Sequence, residues 1–115
     1  MTFRVKLTRR AREAIQRQAR YLAVEQQAPA AAERWLERVR EAARTLSRLP
    51  NRCALAPETS FRPYDIRWLG VDRFMLLFAV DEATRSVWIL FARHGRQLST
   101  DMGLPERLPK GAQSG

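Results

Sequence analysis

Arg93, His94, Gly95 and Arg96 form the one local cluster in this chain whose residue types could do chemistry. An imidazole beside two guanidiniums could cleave RNA. The ring would take the proton from a 2′-hydroxyl, and the cations would stabilise the charge that builds on phosphorus. Flanking cations would also favour the neutral, basic ring. The competing reading is a solvated strand end, the usual fate of such a cluster. Arg67 and Arg73 make a second candidate group, expected on the sheet face away from any helices, with simple pairing to Asp65 or Asp72 as its alternative. Arg67, Arg73, Arg93, His94 and Arg96 are therefore the candidate target-binding residues, and Arg67, His94 and Arg96 the candidate catalytic set.

Other chemistries lack their residues. His94 is the only histidine and Cys53 the only cysteine, so a multi-histidine metal site, an intrachain disulfide and a cysteine-rich zinc site are all excluded. There is no phosphate-binding loop, dinucleotide fingerprint or G-x-S-x-G elbow. No metal or cofactor is implied. Met1–Arg12 lacks the apolar core of a secretory signal. The longest apolar runs, Phe74–Val80 and Val87–Ala92, are too short to span a bilayer. The expected location is the cytoplasm, with no membrane partner.

These side chains need elements to hold them. Phe3, Val5 and Leu7 alternate with Arg4 and Lys6, a period of two that reads as a strand. Thr8 offers an N-cap for a helix from Arg9 to about Gln26, with Ala11, Ile15, Ala19 and Leu22 on one face. Pro29 suits the first turn of a second helix. Ala32, Trp35, Leu36, Val39, Ala42, Ala43, Leu46 and Leu49 give that helix the strongest periodicity in the chain, and Pro50 stops it. Glu37–Arg40 and Glu41–Arg44 should pair on its outer side. After a loop over 51–63, Tyr64, Ile66 and Trp68 begin a strand, with a turn at Gly70 and Asp72. Arg73–Val80 and Ser86–Arg93 form a hairpin around Asp81–Arg85. Trp35 and Trp88 read as core, Phe61 and Tyr64 as partly exposed, and Cys53 as a small spacer. The order is β-α-α-β-β-β, an α+β domain with a helix hairpin on a small antiparallel sheet. Residues 1–97 make one domain. Residues 98–115, rich in Pro and Gly, are expected to be a flexible tail.

The run WLERVREAARTLSRLP (Trp35–Pro50), followed by YDIRWLGVDRFMLLFAVDEATRSVWILFARHGRQ (Tyr64–Gln97), resembles the RelE/ParE superfamily of toxins from type II toxin–antitoxin modules. Arg67, Leu69, Gly70, Phe74, Leu77, Val80, Asp81, Ile89, Leu90, His94 and Arg96 carry the likeness, which covers about residues 3–97. The resemblance implies one of two targets. RelE-like members cleave mRNA in the ribosome, with basic residues on the sheet and an aromatic or basic residue near the C-terminus. ParE-like members inhibit DNA gyrase. It also implies an acidic, partly disordered antitoxin, and operator DNA contacted only through the toxin–antitoxin complex. Two departures favour the ParE-like, plasmid-stabilisation reading. Met75 stands where many relatives carry Arg, and no Tyr follows Arg96. The RelE-like ribonuclease and a non-toxic nucleic-acid-binding domain are the alternatives.

The chain has 115 residues, enough for one domain, with 21 Lys and Arg against 12 Asp and Glu, a net charge of +9. Residues 1–20 hold seven basic residues and one acid, and so carry +6 of it. The excess sits on the first strand and helix, away from Arg93–Arg96. That placement points to an acidic protein partner, with Arg9, Arg12, Arg17 and Arg20 as candidate antitoxin-binding residues.

Overall fold

The computed structural model describes residues 2–97 and 103–109. β1 (Arg4–Leu7) leads through Thr8 into α1 (Arg9–Arg20). The Thr8 hydroxyl accepts from the Ala11 N–H at 3.1 Å and donates to the Leu90 carbonyl at 3.1 Å, so the predicted cap also ties the helix start to the sheet. α1 widens into a π-helical turn over Tyr21–Glu25. Gln27, at φ 50°, reverses the chain into α2 (Pro29–Thr45), which has Pro29 in its first turn. α2 ends one turn before Pro50, and Leu49 takes a left-handed conformation at φ 47°. The two predicted surface pairs form, Arg40–Glu37 at 3.1 Å and Arg44–Glu41 at 2.7 Å. Each contributes only about 0.2–0.5 kcal/mol.

β2 (Arg67–Val71), β3 (Phe74–Asp81) and β4 (Ser86–His94) form an antiparallel meander, and the sheet order is β1-β4-β3-β2. Gly70 lies within β2, and the turn falls at Asp72 and Arg73, where Asp72 takes φ 56°. The sheet is mixed, because β1 runs parallel to β4. The helix hairpin explains this. α1 carries on from β1, and α2 returns the chain so that the Ser47 carbonyl accepts from the Phe3 N–H at 2.8 Å, back where β1 began. Three more strands with tight reversals then bring β4 alongside β1 in the same direction.

α1 and α2 cover one face of the sheet. Near the start of β1, Ala11 and Leu46 pack with Phe78, Val87 and Ile89. Further along the hairpin, Ile15, Trp35 and Val39 pack with Val71, Leu76 and Ala92. Trp35 is fully enclosed, and its Nε1–H donates to the Ile15 carbonyl at 2.9 Å. Losing this ring in Trp35→Ala should cost about 3–5 kcal/mol.

The opposite face is also buried. Trp88, Leu77, Ala79 and Leu90 lie beneath Ala56, Leu104 and Ile66; β2 begins at Arg67, so Tyr64 and Ile66, expected to open the strand, belong to the long loop before it. Residues 103–109, within the stretch expected to be flexible, lie against the body of the domain. Leu104 is buried, Arg62 Nε donates to the carbonyls of Leu104 and Pro105 at 3.0 and 3.1 Å, and the Tyr64 hydroxyl donates to the Pro105 carbonyl at 2.6 Å. One apolar side chain and a set of carbonyl acceptors suffice to hold a segment that has no periodicity of its own. Residues 98–102 and 110–115 lie outside the described residues. Among the described residues no helix is long and apolar enough to cross a membrane.

Candidate functional site

A bulge decides where the Arg93–Arg96 cluster points. β4 carries one extra residue against β3, between the pairs Leu77–Phe91 and Phe78–Ile89. Before it, Val87 and Ile89 face the helices; after it, Ala92 does. The alternation has switched by one residue. His94 therefore falls on the helix side, edge-on to Phe74 with ring centroids 5.3 Å apart. Arg93 falls on the other side, beneath the long loop.

Arg93 is 3% exposed, and its side chain pairs with Glu58, which is fully buried. Arg93 Nη1 also donates to the His94 and Gln97 carbonyls at 3.2 and 3.1 Å. The expectation that Arg93 binds a target is corrected: its guanidinium is enclosed and its donors are taken up internally. Glu58 was not visible as a functional or structural residue in the sequence, because it sits in a Pro-flanked loop without periodicity.

His94 is half-buried, and its Nδ1 accepts from the Arg96 backbone N–H at 3.0 Å. The accepting nitrogen carries no proton, so the ring's proton is on Nε2. In this arrangement His94 offers an Nε2–H donor, and its Nδ1 lone pair is engaged by the Arg96 N–H. Arg96 is exposed and acts on His94 through its backbone.

Arg67 is not with them. It pairs across the sheet with Phe78, which puts it on the helix-side face, and its Nη1 donates to the Cys53 carbonyl at 2.5 Å. His94 pairs with Phe74. The four residue steps from Phe78 to Phe74 separate the two positions by about 13 Å along the strands. Arg67, His94 and Arg96 do not form one catalytic group. Arg67 also departs from the expected face, as does Arg73, which stands in the β2–β3 turn and lines a cleft together with residues of both helices. Neither pairs with Asp65 or Asp72; Asp72 binds Arg38.

The structure instead assembles a cleft of about 510 Å³ at the tip of the helix hairpin. Gln18, Tyr21 and Leu22 come from the end of α1 and its π turn. Arg34, Trp35 and Arg38 come from α2, Asp72, Arg73 and Phe74 from the β2–β3 turn, and His94 from β4. Trp35 and Phe74 touch at 4.9 Å between ring centroids and form part of the apolar wall. Arg73 and His94 stand out in the sequence, whereas Arg34 and Arg38 do not. They lie on the polar side of a regular helix, and nothing in that spacing signals that a distant turn will face them.

Arg9, Arg12, Arg17 and Arg20 are exposed along α1. At the other end of the hairpin an apolar groove runs between β1 and α2, with Phe3, Val5, Leu7 and Ala43 along it and Arg40, Arg44 and Ser47 at its side. Cys53 is buried as a spacer, and burial pushes its thiol pKa up. Among the described residues no three His, Cys, Asp or Glu side chains are grouped to hold a metal ion.

Residues 5–99 match the family model described as the ParE toxin of the type II toxin–antitoxin system parDE. The chain belongs to the ParE toxin family. Among solved structures, a chain of the chromosomal ParDE TA system from P. aeruginosa is similar, with a TM-score of 0.61 and 21% identity over 80% of this chain and 95% of that one. At that identity the likeness is one of fold: two helices on a four-stranded mixed sheet. No curated protein matches in sequence.

Proposed function

We propose that this ParE-family chain arrests growth in the cytoplasm by binding DNA gyrase, without cleaving RNA, and that an acidic cognate antitoxin neutralises it. The enclosure of Arg93 by Glu58 carries this reading. The sheet face that an RNA-cleaving relative would present is covered here by the long loop and by residues 103–109. Met75 replaces a cation on that face, and His94 is turned the other way with its Nδ1 occupied. Of the candidate catalytic set and its neighbour, Arg93 is buried, Arg67 lies about 13 Å along the strands from His94, and His94 has its Nδ1 engaged.

Two features favour an acidic antitoxin. α1 presents Arg9, Arg12, Arg17 and Arg20 to solvent. β1 is an edge strand beside the apolar groove on α2, a setting suited to strand addition or a helix laid in the groove. Operator binding is assigned to the complex and not to the free toxin. No cofactor is required.

Expression from a tightly controlled promoter tests the reading. Cells should stop growing, the product of a small acidic neighbouring gene should restore growth, and translated message should remain uncut. Cuts at codon positions during arrest would instead establish the ribonuclease alternative.

A further inference from the structure

Resting on the gyrase-binding reading, we propose that the cleft at the hairpin tip is the toxin's target-binding surface, and that it takes a segment of the target protein bearing a carboxylate next to an apolar side chain. The charges set the first half of this specificity. Among the described residues Asp72 is the only acid lining the cleft, and it is engaged by Arg38. Arg34 and Arg73 are both exposed and have no ion-pair partner among the described residues. His94 adds an Nε2–H donor, since its Nδ1 is held by the Arg96 backbone. Two unmatched guanidiniums and a neutral donor around one opening form a receptor for carboxylate oxygens.

The wall sets the second half. Leu22 and Phe74, backed by the buried Trp35, give the cleft an apolar lining able to receive a side chain. The surface does not stop at the rim. Tyr21 also borders a shallow patch with Arg17, Arg20, Val24 and Glu25, where two guanidiniums outweigh one carboxylate and Tyr21 is 46% and Val24 64% exposed. A basic, apolar surface that runs from a cleft onto a helix tip fits a length of polypeptide better than a small anion. It lies at the opposite end of α2 from the β1 groove, so the target and a partner in that groove would meet only at Arg17 and Arg20 of α1.

Supercoiling by purified gyrase, titrated with the full chain and its variants, tests the assignment. Arg34→Ala/Arg73→Ala should raise the half-inhibitory concentration by about tenfold or more, while Arg48→Ala/Arg107→Ala, which removes equal charge at exposed positions outside the cleft, should stay within about twofold. An unchanged melting temperature would show that the fold is intact in both. Equal losses in the two double variants, or no loss in the cleft variant, would overturn the proposal. Failure of the unsubstituted chain to inhibit gyrase would refute the functional reading and the cleft assignment with it, and is told apart because it appears before any substitution is made.

Discussion

Arg93 and Glu58 are joined as a buried ion pair, with the carboxylate of a loop residue meeting the guanidinium near the end of β4. The pair closes the long loop onto the sheet. It also takes from the Arg93–Arg96 cluster the guanidinium that the sequence made a candidate for function. Removing one partner would strand the other charge in the interior. Glu58→Ala or Arg93→Ala should therefore cost about 3–5 kcal/mol in urea unfolding, whereas replacing both by apolar residues of similar volume should be close to neutral. A single variant as stable as the parent would mean that the pair opens to water.

Leu104 fastens the C-terminal segment. Leu104→Ala should destabilise by about 2–5 kcal/mol, the range for a buried leucine truncated in a packed site. Tyr64→Phe, which loses the hydrogen bond to the Pro105 carbonyl, should cost about 0.5–1.5 kcal/mol. Thermal unfolding measures both. Wild-type stability in Leu104→Ala would show that the segment is not part of the cooperative unit.

Alkaline pH should loosen the same seam. Burial raises the Tyr64 pKa from 10.0 to about 12, because the phenolate is the poorly solvated form. The folded state then holds this proton more tightly than the unfolded chain. The resulting contribution is fully present below pH 10 and is lost as pH rises towards 12. In a Tyr21→Phe background, absorbance of the remaining tyrosinate should titrate near pH 12, and Tyr64→Phe should flatten the loss of stability over that window. A midpoint at pH 10 would contradict the buried setting.

His94→Gln separates a donor from a base. Glutamine can present an N–H at this position but cannot act as a general base. Growth arrest on expression should persist in His94→Gln, with message intact. Loss of arrest in His94→Gln together with loss of RNA cleavage would reverse the assignment.

Most elements were legible because the apolar periods are clean: Phe3–Leu7 at two, Ile15–Leu22 and Ala32–Leu46 at three and four, and a hairpin around Asp81–Arg85. The parallel placement of β1 was hidden, since it depends on which way the helix hairpin returns and not on any residue in β1. The site was less legible for two physical reasons. A single extra residue in β4 exchanged the faces of Arg93 and His94, and no pattern in Ser86–His94 announces a bulge within a continuous apolar run. Glu58 and Leu104 act across long loops whose composition reads only as irregular. Arg73 and His94 belong to the cleft, but their companions Arg34 and Arg38 look like ordinary solvated helix residues until the β2–β3 turn is brought against them.

Gyrase binding, rather than RNA cleavage, is the action proposed for this fold. The most direct measurement is DNA supercoiling by purified gyrase with the free, antitoxin-less chain added. Inhibition at micromolar concentration, retained in His94→Gln, is the predicted result. Full supercoiling activity at micromolar chain would contradict the account.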